Sequence, residues 1–146
     1  MGKGIFLSIN PDAARKIASH KKTCEFRNYL PREPFNMLYV YVTSPVCKLM
    51  YIVETGTVIA YPAPIDFAGD GNEEFNKGQK AKYAFPIERV YKLIEEIPLS
   101  QLREMYSFTP PQSYSYADTY HLLSHRITQA KKRLLWEQSV GKGTEK

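Results

Sequence analysis

The 146-residue chain has the length of one domain, and 43% hydrophobic against 24% charged residues describes a globular protein with enough apolar side chain for a core. No apolar run approaches the roughly 20 residues of a membrane-spanning helix, which argues against membrane insertion. The net charge of +5 is segregated: +5 over residues 1–32, −4 over 33–118 and +4 over 119–146, so pairing of the two chain ends would build a footprint suited to nucleic acid or another polyanion.

The N-terminus passes from Met1-Gly2-Lys3-Gly4 straight into Ile5–Ile9, a run too short for a signal-peptide core, so the chain reads as cytoplasmic. Ile5–Ile9 reads as a buried strand. Asn10 then suits an N-cap, Pro11 the first helical position and Asp12 the helix dipole, which predicts a helix over 11–19. A strand over about 23–28 follows, and Pro31 and Pro34 mark a loop.

Met37–Thr43, rich in aromatic and β-branched residues, is the clearest strand; Ser44-Pro45 ends it. A strand over 48–60 with a bend at Gly56 comes next, then a loop punctuated by Pro62, Pro64, Gly69 and Gly71 with one helical turn near 73–76. A strand over 82–93 is crossed by Pro86, which predicts an edge position or a bulge. Ser100 predicts the cap of a short helix over 101–106, and Thr109–Tyr114, with two prolines, reads as non-helical.

A last helix is predicted over 117–138, because Tyr120, Leu123, Ile127, Ala130 and Leu134 recur at spacings of 3 and 4. That stripe packs on the domain's own sheet or on a partner helix. Residues 1–140 are expected to form one domain and 141–146 a disordered tail. Five or six strands with long connections and helices at both ends predict an α+β fold, a small mixed or closed β-sheet with helical additions rather than alternating βα units.

No P-loop, dinucleotide fingerprint, HExxH or nucleophile elbow is present. His121 and His125 have the i, i+4 spacing of a metal pair, but Ser124 and Thr128 are poor third ligands, so neither metal nor cofactor is assigned. Cys24 and Cys47 read as reduced core thiols. The most informative stretch is His20-Lys21-Lys22-Thr23-Cys24-Glu25-Phe26-Arg27. On a strand, Cys24 and Phe26 point one way while Thr23, Glu25 and Arg27 point the other, with Lys22 at the entrance. This polar ridge is either a solvated face or the floor of a ligand cleft. Eleven Tyr and seven Phe provide stacking surfaces, of which Tyr114, beside Gln112 and Ser113, is the best placed to meet a base.

The order of Phe6–Pro11, Ala18–Arg27, Tyr39–Val46, Glu54–Ile59 and Pro110–Tyr114 resembles the ASCH domains of the PUA-like superfamily, over about residues 5–116. Their Gly-x-Lys-x-x-Glu-x-Arg signature is met here by Lys22, Glu25 and Arg27, with His20 in place of the glycine. The resemblance is to stand-alone members described as predicted transcriptional regulators. It implies a PUA-like barrel with a cleft lined by that strand, and RNA, another nucleic acid or a modified nucleotide as the partner.

Some relatives are enzymes, one branch hydrolysing N4-acetylcytidine and another cleaving RNA. The nucleophilic threonine of the first branch falls where this chain has Glu25, and Thr23 lies roughly 6–7 Å away along the strand. The favoured reading is therefore a binding module in which Lys22, Glu25, Arg27, Ser44, Gln112, Ser113 and Tyr114 meet the ligand, in a monomer or weak homodimer. The alternative is a small hydrolase using Lys22, Thr23 and Glu54.

Overall fold

The computed structural model describes residues 3–138; the expected tail at 141–146 lies outside the described residues. In chain order the elements are β1 (Gly4–Ile9), α1 (Pro11–Ala18), β2 (Cys24–Arg27), β3 (Met37–Val42), β4 (Lys48–Thr55), β5 (Ile59–Ala60), α2 (Asn72–Asn76), β6 (Tyr83–Pro98), α3 (Leu99–Tyr106), β7 (Ser115–Tyr116) and α4 (His121–Gln129), with a 3-10 turn over Ala117–Tyr120 before α4, and finally β8 (Lys132–Glu137).

The sheet runs in the order β2-β6-β4-β3-β1-β7, with β1 and β3 parallel and the remaining pairs antiparallel. The 16-residue β6 is its spine. β4 and then β5 follow one of its edges, and β8 and then β2 follow the other. The result is an α+β fold with a curled half-barrel of six strands on the main path, extended by two short strands. The path has two ends, β2 and β7, with no backbone ladder between them, and Arg27 of β2 reaches Ser8 O on β1 across the seam they leave.

Local chemistry explains the elements near that seam. The Asn10 side chain accepts from Ala13 N at 2.8 Å and Pro11 opens α1. α1 ends in a Schellman motif: Lys21 N donates to Lys16 O at 2.9 Å and His20 N to Ile17 O at 3.3 Å, with His20 at φ 70°. Here His20 adopts the left-handed conformation that glycine adopts freely. Its ring stacks on Trp136 at 3.8 Å, a contact glycine could not make.

Pro86 sits within β6, not on a free edge. It pairs with Cys24 of β2, its carbonyl accepts from Gly56 N at 3.0 Å, and the β4–β6 register shifts between Glu54 and Thr55. The bulge absorbs the missing donor, so the edge expectation is corrected and the bulge stands.

Two further expectations change. α3 begins at Leu99 with Pro98 at its N-cap, so Ser100 lies inside the first turn and makes no cap. The helix predicted over 117–138 stops at Gln129, and β8 follows. Leu123 and Ile127 are buried with Phe6, Tyr39 and Phe108, so the stripe packs on the chain's own sheet, whereas Leu134 is on β8 and 44% exposed. Chain reversal into a strand is favoured because Leu134, Leu135 and Trp136 can extend the β6 ladder and cover its far edge. No helix among the described residues is long and apolar enough to cross a membrane.

Candidate functional site

The seam between β2 and the β1/β7 end is closed by side chains rather than by backbone. Strand β2 is anchored by Cys24, which is fully buried beside Ile65, Phe75 and Ala84, and by Phe26, whose ring stacks on Phe75 at 5.8 Å. Period-two alternation then turns Glu25 and Arg27 to the other face. Arg27 donates twice to one oxygen of Glu25, Nε at 3.0 Å and Nη2 at 2.7 Å to Oε2. It also donates through Nη1 to the Tyr29 hydroxyl at 2.9 Å and reaches Ser8 O on β1 at 3.4 Å. Tyr29 in turn donates to the Ser113 carbonyl at 2.9 Å, and the Ser8 hydroxyl donates to Pro111 O at 2.7 Å.

Lys22 enters from the end of the α1–β2 turn. Its Nζ donates to Cys24 O at 2.8 Å, lies 4.5 Å from the centre of the Phe26 ring and stands 3.4 Å from Glu25 Oε1. The side chains of Lys22, Glu25 and Arg27 are only 11%, 8% and 15% exposed. Two cations thus flank one buried carboxylate, and Glu25 Oε1 has no hydrogen-bond partner.

Burial works to lower the Arg27 pKa, but the Glu25 carboxylate and Tyr29 outweigh it and hold the guanidinium above its ordinary value. Burial raises Tyr29, against the opposing pull of Arg27. Burial also pushes the Cys24 thiol up to about 12, so it stays protonated and inert at neutral pH.

The remaining sequence-derived residues are only partly drawn to this cluster. Thr23 turns away from it: its hydroxyl donates to Ala68 O at 2.8 Å and accepts from Asn72 Nδ2 at 3.1 Å, tying β2 to the loop before α2. Glu54 accepts from Arg89 Nη1 at 2.7 Å, and Arg89 also holds Glu137 at 2.9 Å. The set Lys22, Thr23 and Glu54 is therefore not assembled as a catalytic group.

Ser113 comes to the seam through its carbonyl rather than its hydroxyl. Tyr114 stacks on Tyr29 at 5.6 Å and meets Tyr116 edge-on at 5.2 Å. Gln112 is exposed on the same loop, and Ser44 is exposed on the turn after β3 and takes no part in this network. Sequence reasoning missed Tyr29, although the alternation that aligns Glu25 with Arg27 reaches Tyr29 one step further. Ser8 carried no signal, because what joins it to Arg27 is its carbonyl oxygen.

Among the described residues, no group of three or more His, Cys, Asp or Glu converges on a metal position. His121 and His125 are exposed on α4.

No protein-family model matches the chain. It is 27% identical over 124 residues to an ASCH domain-containing ribonuclease of Zymomonas mobilis, covering 78% of this chain and 84% of that protein. Among solved structures it resembles the crystal structure of ASCH from Z. mobilis, with a TM-score of 0.65 and 22% identity over 88% of this chain and 96% of the other. A tyrosine-to-phenylalanine variant of that protein matches with the same score, over 99% of its length. With six sheet strands in one curled path, flanking helices and this structural match, the chain has the fold of an ASCH domain.

Proposed function

We propose that this protein binds RNA or a modified nucleotide at the β2–β1/β7 seam and belongs with the ASCH proteins in function as in fold. The observation that carries the reading is the buried Lys22–Glu25–Arg27 cluster with an orphaned acceptor, Glu25 Oε1. Glu25 Oε1 meets the Lys22 ammonium at 3.4 Å as an ion pair but accepts no hydrogen bond, so a ligand donor there would add one. Exocyclic amines and ring N–H groups of nucleobases are such donors.

Lys22 is the movable gate. Its ammonium stands 3.4 Å from Oε1, and rotation towards an incoming phosphate, exchanging the bond to Cys24 O for one to the ligand, would uncover the carboxylate. Arg27 is fixed by Glu25, Tyr29 and Ser8, so it holds the acceptor in place. Tyr29 and Tyr114 form a short aromatic stack at the seam that a base can extend.

The test is calorimetric titration of a panel of nucleoside monophosphates and short RNAs into wild type and into Glu25→Gln and Arg27→Met, each checked for folding by circular dichroism. Binding by wild type and a loss of tenfold or more in both variants is the expected result. Equal affinity in all three proteins would refute the assignment of the seam.

RNA cleavage is the second reading, favoured by one finding: the similar Z. mobilis protein is named a ribonuclease. In that case Lys22 and Arg27 would stabilise charge developing on a phosphodiester. Incubation with labelled single-stranded RNA decides it. Cleavage by wild type but not by Lys22→Met would establish catalysis, and intact RNA with both proteins would leave recognition as the function.

A further inference from the structure

We infer that a second surface, the groove between α1 and the β6–β8 edge, binds the phosphate backbone of single-stranded RNA without reading its sequence. This rests on the proposal that RNA is the ligand. It concerns a site the seam does not contain.

The groove has a volume of about 670 Å³ and presents five cations, Arg15, Lys16, Lys21, Lys92 and Arg133, against the single carboxylate of Asp12. Both basic chain ends contribute: α1 and the turn after it supply three of the cations, and β8 supplies Arg133. Arg15 is paired with Asp12, Lys16 with Asp70 at 2.9 Å and Lys92 with Glu96 at 2.5 Å. Lys21 and Arg133 are exposed and have no ion pair among the described residues.

Two observations point to a polyanion rather than to a merely solvated edge. Lys92 and Arg133 are directly opposite in the β6–β8 ladder, a like-charge placement that weakens strand pairing. The walls are also held in a fixed spacing. Trp136 Nε1 donates to Ile17 O at 2.7 Å and His20 stacks on the same indole, so β8 is clamped to the end of α1. The fold thus fixes the two positive walls side by side instead of letting them separate.

The only aromatic lining residue, Tyr51, is 8% exposed, which leaves no stacking platform and makes the surface blind to base identity. Lys21, in the groove wall, is followed directly by Lys22 of the seam, about 3.8 Å away between Cα atoms.

The test uses a fluorescein-labelled 12-nucleotide oligouridylate, with anisotropy titrations at 50 and 200 mM KCl, on wild type and the double variant Lys21→Gln/Arg133→Gln. Nucleoside monophosphate binding to both proteins is measured in parallel. Two lost phosphate contacts flatten the log–log salt slope by about 1.4, so wild type should lose about sevenfold more affinity than the variant over this range. Mononucleotide binding should be unchanged. Identical oligonucleotide affinity and salt slope in the two proteins, or no oligonucleotide binding by wild type, would overturn the groove. If mononucleotides bind meanwhile, the seam stands alone. A flattened slope in the variant, with no mononucleotide binding by wild type, would support the groove and overturn the seam as the nucleotide site.

Discussion

Removing one charge from the Lys22–Glu25–Arg27 cluster should damage the fold far more than removing all three. In Glu25→Gln, two cations whose side chains are 11% and 15% exposed lose the carboxylate between them. Breaking a buried pair from one side costs roughly 3–5 kcal/mol, while exchanging the whole set for apolar residues of similar size is often neutral or stabilising. A loss of about 3 kcal/mol, with a urea m-value of about 2 kcal/mol/M, lowers the unfolding midpoint by about 1.5 M. The triple variant Lys22→Met/Glu25→Met/Arg27→Met should stay within about 1 kcal/mol of wild type. Urea unfolding followed by Trp136 fluorescence and by circular dichroism measures all three proteins, with coincident transitions checking two-state behaviour. A triple variant as unstable as Glu25→Gln, or worse, would show that the cluster is needed to fold the chain. Its retention would then be explained by folding rather than by a ligand.

Other consequences are open to simple assays. Gly69→Ala places a Cβ 1.9 Å from Thr23 Oγ1 and 2.9 Å from Asn72 Nδ2, which should break the tie between β2 and the α2 loop and cost about 1–3 kcal/mol. Adding Thr23→Ala removes the tighter of the two close contacts and leaves the one to Asn72, so the double variant should be less destabilised than the sum of the singles; strict additivity would contradict this contact. Lys92 donates to Glu96 and, with help from Lys48, holds that carboxyl below its usual 4.5 against the opposing effect of burial. The pair's stabilisation is therefore present above pH 4.5 and lost as pH falls through the lower folded value. Lys92→Met should cost about 0.5–1 kcal/mol at pH 7 and almost nothing near pH 2, and an equal cost at both would be inconsistent with the pair. Because burial pushes the Cys24 thiol up to about 12, Cys24 should resist Ellman's reagent at pH 8 until urea unfolds the chain, read in Cys47→Ser so that the partly buried second thiol is silent; rapid labelling of the native variant would mean that β2 opens.

Local rules carried much of the fold. The Asn10-Pro11-Asp12 start of α1, the strand through Met37 and the bend at Gly56 all follow from propensity and capping, and β4 and β5 do continue along one edge of β6. What sequence reading missed depends on pairing between distant segments. Pro86 signals an interruption, but only the position of β2 and the bulge opposite β4 show that the interruption lies inside the sheet.

The end of α4 failed for a related reason. Leu134 continues a helical period, yet residues 132–137 gain more from the unpaired edge of β6 than from another helical turn. At the site, alternation on β2 places Glu25 and Arg27 together, and one further step would have found Tyr29. Thr23 breaks the alternation because the Ala68 carbonyl and Asn72 offer its hydroxyl two partners on the opposite side. The role of His20 was not legible: it stands at the signature's glycine position, but its left-handed backbone is set by the end of α1 and its stack on Trp136 comes from a strand more than a hundred residues away.

The most direct measurement is an NMR titration of the Arg27 Nε–Hε resonance with cytidine and guanosine monophosphates, using ribose 5-phosphate as the ligand without a base. The expected result is a saturable shift with the nucleotides, little response to ribose 5-phosphate and no shift in Glu25→Gln. Nucleotide binding that leaves Arg27 unmoved while perturbing resonances elsewhere would contradict the assignment of the seam as the recognition site.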